Sequence, residues 1–174
     1  SVKPYQPAGL WKPVGADGSK TSVFKQDKGS KLYLRSMYTF LKRTSPPPSM
    51  STFDAPDRET CRVRRARTNT PLQALVLMND VQFVEAARKF AERIMLEGGD
   101  DVGGRVTFAF RSVLSRFPTK SEQHSLQELY TEILTEFKNE KGAADQFLKA
   151  GESPRNSDLE TNELAAWAII AHLV

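Results

Sequence analysis

Apolar residues recur at helical spacing over most of the chain beyond residue 70, and this periodicity most constrains the fold. A spacing of three or four positions places apolar side chains on one face of a helix. Six segments have this pattern: 71–78, 81–97, 102–115, 120–140, 143–149 and 159–173. The chain is therefore expected to be all-α, a helical bundle of about five to seven helices with a basic, partly irregular N-terminal arm.

Short polar signals mark where several of these helices begin. The run Thr70-Pro71-Leu72-Gln73 has the pattern of a capping box, with Thr70 at the N-cap and Gln73 three positions later. Thr119 and Glu122 repeat that spacing before the long helix, and Asp80 is placed to cap the helix over 81–97. The predicted structural caps are Thr70, Gln73, Asp80, Thr119 and Glu122.

The first part of the chain lacks this regularity. Residues 1–30 are rich in Gly, Pro, Lys and Ser with scattered aromatic residues, which predicts an irregular arm. Apolar residues at positions 34, 37, 38 and 41 predict one helix over about 31–43, although alternation there also fits a strand. Three prolines at 46–48 end that helix.

These patterns predict a division of the chain near residue 70. Residues 1–69 form a basic arm with one helix and a long irregular, arginine-rich segment packed on the body, and residues 70–174 form the helical bundle. The two are expected to make one compact unit. The chain opens without Met and ends within an apolar helix, so a fragment of a larger protein is expected.

Charge is unevenly distributed along the chain. Residues 1–70 contain 14 Lys and Arg against 5 Asp and Glu, a net charge of +9, whereas residues 71–174 contain 11 against 16, a net charge of −5. Opposite charges attract at short range, so the basic section is expected to pack on the acidic helices. The same asymmetry argues against a nucleic acid partner, which the sequence pI of about 9.2 would otherwise suggest.

Composition argues against several chemistries in this segment. One cysteine and two distant histidines provide no metal-ligand spacing, and no Cys-x-x-Cys-His run is present for haem attachment. The longest apolar run, residues 165–174, is too short to cross a bilayer. We therefore expect no metal, no cofactor and no membrane span within these residues.

Five arginines lie between Arg58 and Arg67, and the net charge of that stretch is +4. Guanidinium groups match sulfate, phosphate and carboxylate, and the helix that begins at Pro71 offers free N–H groups. The candidate anion-binding residues are Arg62, Arg64, Arg65, Arg67 and Thr70. The favoured alternative is that these arginines pair with the acidic helices or with an adjacent domain, and the third is a solvated arm.

No catalytic grouping is evident, and no catalytic residue is assigned. Asp54, Asp57 and Glu59 precede the arginines, but capping of a turn and pairing with a nearby arginine account for them better than acid–base catalysis. Cys61 has no histidine near it in sequence and is predicted to be buried and inert. The segment is not expected to be catalytic on its own, and whether the full protein is an enzyme stays open.

Several runs of sequence together resemble a known family. They are SVKPYQPAGLW, LYLRSMYTFLKRTSPPPSM, TFDAPDRETCRVRRARTNTPLQALVLMND and GESP. Over residues 1–174 the chain is similar to the planctomycete domain of unknown function 1553, which forms the C-terminal part of large planctomycete proteins. Val81 and Phe117 stand where that pattern has proline, and each change affects a cap or a turn rather than a site.

The resemblance implies a context rather than a reaction. Such domains lie downstream of a c-type cytochrome module in exported proteins, so an extracytoplasmic location, periplasmic or at the cell surface, is expected, with haem c elsewhere in the full protein. One hypothesis is a non-catalytic helical domain that organises or docks adjacent domains of the same chain. The alternative is binding of an anion or an acidic, sulfated polysaccharide through Arg62–Arg67, contributing to a redox or hydrolytic site of the full protein.

Overall fold

The chain is all-α in the residues that the computed structural model describes, 1–14 and 21–174, and this confirms the predicted fold class. Seven α-helices lie in those residues. They are α1 (Pro48–Thr52), α2 (Pro71–Asn79), α3 (Val81–Glu97), α4 (Val102–Leu114), α5 (Lys120–Asn139), α6 (Ala143–Phe147) and α7 (Thr161–Leu173). Positions 15–20 of the predicted arm lie outside the described residues.

The chain divides into two compact units, Ser1–Val76 and Leu77–Val174. The boundary between these units lies within α2, whereas the sequence places the end of the basic arm at residue 69. That the arm and the bundle make one compact unit stays a prediction. That the basic section packs on the acidic helices stays a prediction.

The first unit is organised around Trp11, whose side chain is only 2% exposed. Phe24 and Phe40 meet the indole edge-on, with ring centroids 5.2 and 5.5 Å away. The ammonium groups of Lys3 and Lys42 lie 5.3 and 5.2 Å from the indole centroid, within cation–π range. This cluster holds the otherwise irregular N-terminal residues together.

The predicted helix over 31–43 is wrong. Two short 3-10 segments, Gly29–Tyr33 and Ser36–Tyr38, occupy that region. The backbone of residues 38–40 pairs with the N-terminal residues instead: the Val2 amide donates to the Tyr38 carbonyl at 2.8 Å, and the Phe40 amide donates to the Val2 carbonyl at 2.7 Å. Those groups are therefore unavailable for helical i→i−4 hydrogen bonds.

The second unit is a bundle built around α7. Helix α7 packs against α3, α5 and α6, and six of its thirteen residues are buried. Trp167 is fully buried and its ring lies 4.6 Å from the ring of Tyr130 in α5. A helix that is apolar on all sides is stable only when neighbours surround it, and here they do.

Side-chain caps fix the starts of the helices in this bundle. The Asp80 carboxylate accepts from the Gln82 amide at 2.9 Å at the start of α3. At the start of α5, Thr119 and Glu122 exchange both hydrogen bonds of a capping box. Glu160, which the sequence analysis had not identified as a cap, accepts from the Glu163 amide at 2.6 Å and begins α7 at residue 161 rather than 159.

Candidate functional site

The arginine segment, which we define as residues 58–67, is an irregular loop between α1 and α2, and every residue in it is exposed. Asp54, before the segment, and Thr68, after it, are joined by hydrogen bonds. The Asp54 carboxylate accepts hydrogen bonds from the backbone amide and from the hydroxyl of Thr68, each at 2.8 Å. These two bonds lower the pKa of Asp54, and the positive charge of Arg65 acts in the same direction.

The side chain of Gln73 forms a second set of hydrogen bonds that holds the loop. Its side-chain amide donates to the Thr52 carbonyl at 2.9 Å and to the Thr68 hydroxyl at 3.0 Å. Its side-chain oxygen accepts from the Thr70 amide at 3.1 Å, and the Thr70 hydroxyl accepts from the Gln73 amide at 3.3 Å. The residue at the third position of the capping box thus joins α1, the loop and α2.

An open cleft of about 660 Å³ lies beside this fastening, and we call it the arginine cleft. It is lined by Phe53, Asp54, Arg64, Arg65, Ala66, Arg67, Thr68 and Gln73. Arg65 donates to the carbonyls of Phe53 and Asp54, at 3.1 and 3.4 Å. Within residues 1–14 and 21–174, Arg64 and Arg67 form no hydrogen bond or ion pair.

The structure brings together three of the five candidate anion-binding residues. Arg64, Arg65 and Arg67 line the cleft, whereas Arg62 and Thr70 are not among its lining residues. Arg62 instead donates to the carboxylate of Asp57 at 3.2 Å. That carboxylate also accepts from the Glu59 amide, and both contacts lower the pKa of Asp57.

Cys61 is exposed, so the prediction that it is buried is wrong. The residues around it in the arginine segment are all exposed as well, so no apolar surroundings are present to bury a thiol. The backbone of Arg58 has a φ of 63°, and that of Asp54 a φ of 59°, so two residues at the start of the loop are in the left-handed region.

Helix α2 exposes several of its large apolar side chains. Leu72 and Leu75 are 56% and 57% exposed, and Leu77 and Met78 are also exposed. Gln73 is the one residue of α2 that is buried among those described. Leu72 and Leu75 are three positions apart, so they lie on the same side of the helix.

The sequence patterns did not indicate that Asp54 and Thr68 form part of the arginine cleft, or that the leucines of α2 are exposed. The signal for the leucines is present in the sequence, because α2 has apolar residues all round and a helix of that kind needs cover on several sides. Asp54 and Thr68 are 14 positions apart, and no local pattern indicates that they meet.

The chain was compared with known proteins. The model of a family described as "Protein of unknown function (DUF1553)" matches residues 1–130, which include the arginine segment, α2, α3 and α4. No curated protein and no solved structure shows significant similarity to the chain. Within the described ranges, no helix has the length and apolarity to cross a bilayer.

Proposed function

The chain belongs to the DUF1553 family, and from that premise we propose that it is a non-catalytic docking module. Its docking surface consists of Arg64, Arg67, Leu72 and Leu75. One observation carries the proposal: two arginines with no partner among the described residues are followed within eight positions by a helix that exposes large aliphatic side chains. Exposed apolar surface rimmed by charge is typical of protein interfaces.

The aliphatic character of α2 favours a protein partner over a polysaccharide. Sugar rings stack on aromatic faces, whereas the large exposed side chains of α2 are leucine and methionine. A groove with apolar walls would cover α2, and acidic residues at its rim would pair with Arg64 and Arg67. The partner is therefore a protein with an apolar groove that has acidic residues along its rim.

We propose that this groove belongs to an adjacent domain of the same protein. The resemblance to exported, cytochrome-associated proteins motivates that choice, and it extends the proposal to an extracytoplasmic location and to a c-type cytochrome module next to the docked domains. Binding of an acidic rim is the simplest role for a segment of net charge +4 that is exposed along its whole length.

Alkylation of Cys61 tests the docking proposal. This residue is the one cysteine of the chain, it is exposed, and it lies in the arginine segment. We expect maleimide to modify Cys61 more slowly in the chain joined to its adjoining domains than in the isolated chain, as located by mass spectrometry. The double change Leu72→Ser and Leu75→Ser is expected to restore the fast rate.

A matched control is Leu96→Ser, which changes an equally exposed leucine of α3. It is expected to leave the alkylation rate unchanged. Equal rates in the isolated and the joined chain would exclude docking through this segment.

A second candidate function is binding of an acidic, sulfated polysaccharide, and the arginine cleft is the observation that favours it. A volume of about 660 Å³ with three guanidinium groups along it suits an anionic sugar unit. We expect Arg64→Ala with Arg67→Ala to abolish binding to one sulfated glycan in a panel with neutral glycans, and Leu72→Ser to leave it intact. Loss of binding with Leu72→Ser alone would point back to the docking surface.

A further inference from the structure

A stripe of charged residues on α3 faces inward and holds the loop between α6 and α7. Glu85 and Arg88 are each 2% exposed, and Glu92 is 8% exposed. The Glu85 carboxylate accepts from the Ser153 amide, and the Glu92 carboxylate accepts from the Asn156 amide at 3.1 Å. A charged face in this position is costly to bury unless every group has a partner.

Arg88 does not have all of its partners. Its Nη2 donates to the Ser153 carbonyl at 2.6 Å and lies 3.6 Å from the Glu85 carboxylate. Its Nε is buried and has no hydrogen-bond acceptor among the described residues. Buried donors in native proteins are almost always bonded, so this guanidinium is only partly satisfied by the described residues.

Arg88 is one of the residues that line a cavity of about 290 Å³, which we call the Lys149 cavity. Its other lining residues are Asp145, Leu148, Lys149, Ser153 and Arg155. Lys149 forms no ion pair with any described residue. Arg155 contacts the Asp145 carboxylate at 2.8 Å through Nη1 alone, so its other nitrogens are available.

Three cationic side chains and one carboxylate therefore surround a small cavity, and one of the cations is buried without its full set of acceptors. We propose that the Lys149 cavity binds a small tetrahedral oxyanion, a sulfate or phosphate group, held by Lys149, Arg155 and Arg88. Guanidinium and ammonium donors around such a group form charge-assisted hydrogen bonds. The volume suits a single anionic group rather than a sugar chain.

The site is independent of the proposed docking function, because it uses no residue of the arginine segment or of α2. Asp145 has a defined part in it. By occupying one nitrogen of Arg155, its carboxylate fixes the direction of that guanidinium while leaving the other donors for the anion.

Backbone amide NMR during titration with sodium sulfate and with sodium phosphate tests the proposal, with sodium chloride at equal ionic strength as the reference. We expect saturable shifts confined to amides of residues 145–155 and to those next to Arg88 in α3. Lys149→Ala and Arg155→Ala are each expected to weaken binding about tenfold, since each removes one charge-assisted contact. Both residues are exposed, so neither change threatens the fold.

Lys138→Ala is the matched control, because Lys138 is an exposed lysine outside the cavity, and it is expected to leave the affinity unchanged. Acetate provides a further arm. Shifts with acetate alone, shifts that chloride reproduces, or equal affinity in wild type and in both cavity variants would each overturn the proposal. Saturation by sulfate or phosphate that depends on Lys149 and Arg155 would support it.

Discussion

Asp54 and Thr68 are joined by two hydrogen bonds of 2.8 Å, one from the backbone amide of Thr68 and one from its hydroxyl. This pair closes the loop that carries the arginine segment, so that residues at both ends of the loop line one cleft. The backbone of Asp54 has a positive φ, and aspartate is one of the few non-glycine residues that adopt this conformation readily.

The Asp54 contact predicts how the loop responds to pH and to mutation. Because the contact lowers the pKa of Asp54 below its ordinary value of 3.8, its stabilising effect is present above that value and is lost as pH falls through the lower pKa of the folded state. Asp54→Gly keeps the positive φ but removes the carboxylate. We expect faster hydrogen exchange of the Thr68 amide at neutral pH, measured by NMR.

The control for that experiment is Asp100→Asn, which changes an exposed aspartate beyond the loop. It is expected to leave exchange at Thr68 unchanged. Unaltered protection in Asp54→Gly would show that the two hydrogen bonds do not hold the loop closed.

Gln73→Ala is expected to destabilise the first unit by about 1–2 kcal/mol. The change removes the bond that the Gln73 side-chain oxygen accepts from the Thr70 amide and the two bonds that its amide donates to Thr52 and Thr68. That side chain is only 8% exposed. Native-state hydrogen exchange of amides within residues 68–76 measures the loss. The exposed glutamine Gln82 provides the comparison, and an equal effect of Gln82→Ala would contradict the assignment.

Glu122 gives the second unit a pH-dependent stability with the same sign as that of Asp54 in the first unit. Hydrogen bonds from Arg116 and from Thr119 lower its pKa from 4.5 to about 2. Its stabilising effect on α5 is therefore complete above pH 4.5, declines as pH falls, and is gone below about 2. We expect the stability difference between wild type and Glu122→Gln to vanish over that interval, as measured by thermal unfolding at successive pH values.

Two related variants sharpen the Glu122 experiment. Arg116→Ala removes the largest contribution and is expected to move the pKa of Glu122 back toward its ordinary value, as read by carboxyl carbon NMR. Glu136→Gln, which changes an exposed glutamate of the same helix, should leave the pKa of Glu122 unchanged. A Glu122 titration near 4.5 in wild type would rule out the predicted effect.

Helical order in the second unit follows from local signals in the sequence. Helix α3 spans the predicted residues 81–97 because Asp80 and the glycine after Glu97 bound it. Helix α5 begins where Thr119 and Glu122 form their capping box. Helix caps and the spacing of apolar residues depend on residues three or four positions apart. They can therefore be recognised in the sequence without the rest of the fold.

Contacts between distant residues explain what the sequence did not predict. The pairing of Val2 with residues 38–40 replaced the expected helix over 31–43, and periodicity alone contains no sign of it. The same holds for the cleft, in which Asp54 meets Thr68, and for the inward-facing Glu85 and Arg88 of α3. Charged residues are expected on the solvent side. Arg88 is buried because Glu85 on the same helix and the Ser153 carbonyl, 65 positions away, both contact it.

Gly151 tests how tightly that loop is held. Its φ is +85°, and an added Cβ would overlap the Glu85 carboxyl group, which accepts from Ser153. Gly151→Ala is therefore expected to cost about 2–4 kcal/mol, from backbone strain together with the displaced carboxylate. Gly142→Ala is the matched control, since Gly142 has a φ of +86° but no neighbour within 4 Å, and urea unfolding of both variants separates strain from overlap. Equal losses in the two would mean that the Glu85 contact adds nothing, and the loop would then owe its position to Arg88 and Glu92 alone.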